Sequence, residues 1–148
     1  MPELHDPTVR ESLKSRLQAV QPDARGKWGS MTPAQMLWHV GSALEMCLGR
    51  LESPKESPPF PMPKPMLRFV VLNLPWPKGV PTLQAIKATA SYDFQAEQAR
   101  CLKLIDEFTA KPTRDHWPVH PTLGNMSGSQ YSRLQAKHIQ HHLAQFGA

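Results

Sequence analysis

Three histidines crowd into the segment Lys137-His138-Ile139-Gln140-His141-His142. His138 and His142 are four residues apart, so on a helix they project from one face, one turn apart. Two imidazoles at that spacing can hold one divalent ion about 2.0–2.1 Å from each nitrogen. The helical repeat turns His141 by about 60° from His138 and about 100° from His142, away from their point of convergence. His39 stands far off in sequence, beside an apolar stripe, where an unpartnered polar ring is costly. Read alone, it is a satisfied core histidine. Read with the pair, it completes a three-histidine site of the kind that facing helices build in bundle cores. Three neutral ligands leave a coordination position open, the feature that separates catalytic from structural zinc. An ion held this way lowers the pKa of a bound water to about 7 or stabilises a thiolate. No general base accompanies the three, so no catalytic residue is assigned. Gln35, one turn before His39, and Gln145, one turn beyond His142, are candidates for contacts to the ligand rings or substrate. Polar packing near the helix ends is an equal reading of both.

The elements that must position these residues announce themselves through caps. Asp6-Pro7 starts a helix over residues 7–20, with Val9, Leu13, Leu17 and Val20 on one stripe. Thr32-Pro33-Ala34-Gln35 is a capping box with proline at the first helical position, and the pattern that follows runs to about Leu51. A third long helix covers Ser91 to Thr109. Ser127-Gly128-Ser129-Gln130 opens a fourth, which carries His138 and His142 and stops at Gly147.

Proline marks the connection between the second and third of these helices. The chain has 16 prolines in 148 residues, about twice average usage. Nine fall between Pro54 and Pro81. Lys55 to Pro65 therefore cannot be regular helix or central strand, and Met66 to Leu74 is a short helix or an extended piece. The connection far exceeds ordinary loop length. In a four-helix bundle such a crossover lets consecutive helices run parallel. No strand and no internal repeat is expected.

Composition narrows the class. A chain of 148 residues, 40% hydrophobic and 20% charged, is one domain that buries a core without disulfides. No apolar run is long enough to span a membrane, and the start of the chain lacks the pattern of a signal peptide. Cys47 and Cys101 show no Cys-x-x-Cys spacing and read as reduced, buried thiols of a cytoplasmic protein. The net charge of +5 is spread without a basic run, and no nucleic-acid motif accompanies it, so neither a nucleic acid nor a membrane is an expected partner.

The segment Trp28-Gly29-Ser30-Met31-Thr32-Pro33-Ala34-Gln35-Met36-Leu37-Trp38-His39 resembles the start of the second helix in the DinB-like superfamily. The tail, His120-Pro121-Thr122-Leu123-Gly124 followed by Lys137 to Gly147, resembles its last helix. It is most similar to a bacterial branch reading His-Pro-x-x-Gly, then Lys-His-x-x-His-His-Leu-x-Gln-Phe. The resemblance implies an all-α, up-down-down-up four-helix bundle over residues 1–148. It also implies a divalent metal ion, zinc or nickel, on His39, His138 and His142. It further implies a homodimer acting on a small-molecule substrate. Relatives include transferases and isomerases that depend on low-molecular-weight thiols such as bacillithiol and mycothiol, and some metal-dependent hydrolases. Better-known members follow the second histidine with Arg-Gly-Gln. Here Leu143-Ala144-Gln145 keeps the glutamine and lacks the arginine.

The leading expectation is thus a metal-dependent enzyme that activates a thiol or water for transfer to, or hydrolysis of, a small electrophile. Trp76 of the crossover is expected to form one wall of its pocket. The alternative is a non-enzymatic stress-related or interaction protein on the same bundle, with the metal structural or absent.

Overall fold

The computed structural model describes residues 2–58 and 61–148. Pro59 and Phe60, inside the proline-rich stretch, lie outside the described residues. The helices begin where free backbone N–H groups find side-chain acceptors. Asp6 Oδ1 accepts from Thr8 N at 2.8 Å and opens α1, Pro7–Ala19. Thr32 Oγ1 accepts from Gln35 N at 3.1 Å while Gln35 Oε1 accepts from Thr32 N at 2.9 Å, and this box opens α2, Pro33–Cys47. Ser127 and Gln130 repeat the arrangement at 3.1 and 2.9 Å to open α5, Gly128–Gln145. Asp93 caps α4, Phe94–Ala110, by accepting from Ala96 N at 2.8 Å.

Two expectations from the sequence need correction. The second helix ends at Cys47, not near Leu51, because Gly49 takes φ +77°. That left-handed turn lets Arg50 N return to Glu45 O at 2.9 Å, which satisfies a terminal carbonyl and stops the helix. Secondly, four long helices and one short one are present among the described residues, and the short one, expected as a helix or an extended piece over Met66 to Leu74, starts inside the stretch Lys55 to Pro65 that was expected to hold no regular helix. The proline window contains α3, Lys64–Asn73. Pro65 falls in its first turn, where a missing N–H removes no helical bond, so the proline is compatible with the helix it seemed to forbid. A single 3-10 turn, Gln84–Ile86, follows before α4. No strand occurs among the described residues, and the only pairing of that kind is an isolated bridge between His120 and Gly124.

The apolar stripes meet in one main core. Met36, Leu37, Val40 and Leu44 of α2 are fully buried, as are Leu13 and Leu17 of α1, Ile105 and Phe108 of α4, and Ile139 and Leu143 of α5. Burying a side chain of this size stabilises the fold by about 1.5–3 kcal/mol. Both α1 and α2 pack against α4 and α5, with the α2–α4 interface the most extensive, and α3 lies on α5. Cys47 and Cys101 are buried and unpaired within this core. Burial pushes both thiols up to about 12, so neither supplies a thiolate nucleophile near neutral pH. Among the described residues no helix is long and apolar enough to cross a membrane.

His120 closes the loop that leads into α5. Its Nδ1 accepts from Thr122 N at 3.1 Å and Leu123 N at 3.0 Å, so the neutral ring is the one that fits. Burial, helped by the charge of Lys64, lowers its pKa from 6.5 to about 4. The unfolded chain therefore takes a proton on this group between pH 6.5 and 4 that the folded chain refuses. Its stabilising effect is complete above pH 6.5 and is lost as pH falls toward 4, an effect of about 3 kcal/mol at most. Urea unfolding across that range is expected to show His120→Asn losing less stability than the parent. An identical pH slope for the two chains would refute the assignment.

Candidate metal centre

The cap at Thr32 sets the register of α2, and the cap at Ser127 sets that of α5. Together they bring His39, His138 and His142 to one buried point between the two helices, each with a ring nitrogen within 4.8 Å of the others. His138 Nε2 lies 2.8 Å from His39 Nε2 and 3.1 Å from His142 Nε2. The three rings stand nearly perpendicular to one another, with centroids 4.7–4.8 Å apart.

The outer nitrogens decide what the inner ones present. His39 Nδ1 is 2.7 Å from the carbonyl oxygen of Ile86, which can only accept. The proton therefore sits on Nδ1, and Nε2 carries a lone pair. On the other side, Gln145 Nε2 donates to the carbonyl of Trp28 at 2.9 Å, which fixes the amide orientation. Its Oε1 then faces His142 Nδ1 at 2.8 Å, so His142 also donates from Nδ1 and offers a lone pair at Nε2. His138 Nε2 faces both lone pairs and carries at most one proton, so at least one of its two contacts is lone pair against lone pair. His138 Nδ1 is buried without a hydrogen-bond partner among the described residues.

Burial is the main force holding these rings neutral. It lowers the pKa of His39 against the opposing pull of the Ile86 carbonyl. It drives His138 well below the usual histidine range, with the neighbouring imidazoles adding to the effect. His142 falls to about 3, chiefly through burial and then through His39. Three neutral imidazole nitrogens aimed at one point form a donor set that fits a borderline divalent cation. A tetrahedral ion spaces such nitrogens by about 3.3 Å, so the two close contacts need open by only a few tenths of an ångström.

The segment between α2 and α4 contributes groups that lie against the histidines. Ile86, on the 3-10 turn, gives the carbonyl under His39. Trp76 Nε1 donates to Val71 O at 2.7 Å, and Lys137 Nζ reaches the carbonyls of Val71 and Leu74, so the end of α3 is tied to α5. The Trp76 ring sits 6.1 Å from that of His138 and 5.4 Å from that of His141. The ring of Trp28, on the loop before α2, lies 5.6 Å from that of His141.

Of the two glutamines singled out from the sequence, the structure brings one to the histidines. Gln145 bridges His142 and Trp28. Gln35 uses its oxygen in the α2 cap and its nitrogen on the carbonyl of Ala90 at 2.9 Å, and it meets no imidazole. Sequence reasoning missed the Ile86 carbonyl, which no side chain signals. It also missed Gly29, whose φ of +75° and open α-carbon let the Trp28 carbonyl meet Gln145. A Cβ there would lie 2.8 Å from Gln145 Nε2.

No curated protein and no solved structure matches the chain. A family model described as the DinB superfamily matches residues 8–146, a span that runs from α1 to α5 and includes all three histidines. On that match, carried across the whole bundle, the chain belongs to the DinB superfamily.

Proposed function

We propose that His39, His138 and His142 hold one divalent ion, zinc or nickel, at the heart of an enzyme for small electrophilic substrates. The supporting observation is the convergence of three Nε2 atoms whose neighbours fix the tautomers of two of them. We further infer that the helices run up-down-down-up, with the segment between Cys47 and Phe94 as the crossover. A bound ion with an open position would supply Lewis-acid activation of a water or a low-molecular-weight thiol near neutral pH.

The chain's own residues have separable tasks in this reading. Ile86 and Gln145 hold protons on the outer nitrogens of His39 and His142 and keep the inner lone pairs aimed inward. Burial keeps the rings from taking up protons, so the ligands stay available through the neutral range. Trp76 and Trp28 narrow access and limit bulk water. The buried thiols of Cys47 and Cys101 take no part, so a thiol nucleophile must be a separate molecule. Transfer of such a thiol and hydrolysis by water are the two reactions this arrangement suits. Two reduced cysteines fit a cytoplasmic setting.

Protein produced without a histidine tag, stripped of metal and titrated with zinc or nickel, is expected to bind one equivalent. At a hundredfold excess over the dissociation constant, binding stabilises the fold by about 2.7 kcal/mol and raises Tm by roughly 5–10 °C. His138→Ala should abolish both effects. Absence of stoichiometric metal in the parent, or an unchanged shift in the variant, would sink the metal reading.

A second expectation concerns Gln145. Gln145→Ala removes the acceptor for His142 Nδ1 and should weaken metal binding by about 10–100-fold. Gln145→Glu keeps the acceptor for His142 Nδ1 but loses the donor to the Trp28 carbonyl, and should restore the affinity only in part. Gly29→Ala, by pushing on Gln145, should act in the direction of Gln145→Ala. Competition against a chromophoric chelator measures all three, and equal affinities across the set would show that Gln145 does not position the ligand.

A further inference from the structure

Acidic residues are absent from every segment that builds the metal centre. Residues 24–44, 57–92 and 116–148 contain no Asp or Glu but eight Lys and Arg. All twelve acids lie in 1–23, 45–56 and 93–115. The acid-free segments carry Trp28 and His39, Trp76 and Ile86, and the whole of α5. The ion pairs formed by the acids among the described residues lie within the other segments: Arg10 with Glu11, Lys14 with Asp106, Arg50 with Glu107, and Arg100 with Glu45 and Glu97. Acids from outside reach these segments at two hydrogen bonds, Glu56 Oε2 accepting from Gln84 N at 3.0 Å and Glu3 from Ser129, but none of the eight cations forms an ion pair among the described residues.

One of those cations is placed to meet a ligand. Lys78 Nζ stands 4.9 Å over the Trp28 ring, on the turn that follows Trp76. Lys78 is exposed, and among the described residues it makes no hydrogen bond and no ion pair. Lys137 also stands over an indole, Trp76, at 5.2 Å, but its ammonium is engaged by two carbonyls. Both indoles lie against the ring of His141, at 5.6 and 5.4 Å, and bring apolar surface beside the histidines. A ligand that matches these features has a planar apolar body and a negative charge at the end away from the metal.

We propose that the substrate of this centre is a small organic anion. Its planar part packs against Trp28 and Trp76, and its carboxylate or equivalent anionic group is held by Lys78. The inference rests on the metal reading above and adds to it the class of substrate. Lys78 and the other cations of these segments, which form no ion pairs among the described residues, raise the local concentration of such an anion, and the effect weakens as salt screens it.

Two probes with the same metal-binding head separate this inference from the metal reading. Benzohydroxamate is neutral at its far end, and 4-carboxybenzohydroxamate carries a carboxylate there. Calorimetry on the zinc-loaded full chain at low ionic strength is expected to show the carboxylated probe binding roughly threefold tighter or more, the scale of an exposed ion pair. Added salt should shrink the difference. Lys78→Glu, checked for retained zinc, should bring the two affinities together or invert their order. Stoichiometric zinc with equal affinities, with neither probe bound, or with a preference that survives Lys78→Glu overturns the inference alone. Failure of the parent to bind zinc overturns the metal reading, and this inference falls with it.

Discussion

The hydrogen bond from His39 Nδ1 to the carbonyl of Ile86, 2.7 Å long and buried, joins the two halves of this molecule's chemistry. It fixes the tautomer of one ring in the cluster. It also ties the end of the connection between α2 and α4 to α2, because the 3-10 turn that carries Ile86 has no regular ladder of its own. Gln35 reinforces that tie through Ala90. The His142–Gln145–Trp28 relay does the same on the opposite side, fastening the loop before α2 to the end of α5. Each outer bond thus has two consequences, one for the donor atoms and one for the walls around them.

This arrangement works against the stability of the fold. Three imidazoles meet at a buried point, and the middle one leaves a buried nitrogen without a partner among the described residues. In acid each would have to accept a proton beside the others, so burial and mutual repulsion both hold the neutral form. The surrounding core is what makes such a cluster tolerable. Met36, Leu37 and Val40 beside His39, and Ile139 and Leu143 beside His138 and His142, are fully buried, and their apolar contacts hold the helices at a fixed distance.

Much of the scaffold was legible because its signals are local. Asp6, Thr32 and Ser127 declare helix starts through side chains that cap backbone within three residues, and the structure has helices where they point. The spacing of His138 and His142 likewise needs only one helix to be meaningful, and the third histidine follows once two helices must face each other. The family match over residues 8–146 agrees with the resemblance carried by those same segments. What was not legible depends on backbone or on distant partners. Gly49 stops α2 through a left-handed turn, Pro65 sits inside α3 without breaking it, and the Ile86 carbonyl lies 47 residues along the chain from the ring it pins. Gln35 and Gln145 occupy similar positions relative to their histidines, yet only one reaches an imidazole. A capping box already claimed the oxygen of the other.

Anomalous diffraction from a crystal of the tag-free protein grown with zinc or nickel tests the three-imidazole centre most directly. A single peak is expected about 2.0–2.1 Å from the Nε2 atoms of His39, His138 and His142, with the Nδ1 contacts to Ile86 and Gln145 intact. A peak bound elsewhere, or through fewer than three of these nitrogens, would contradict it.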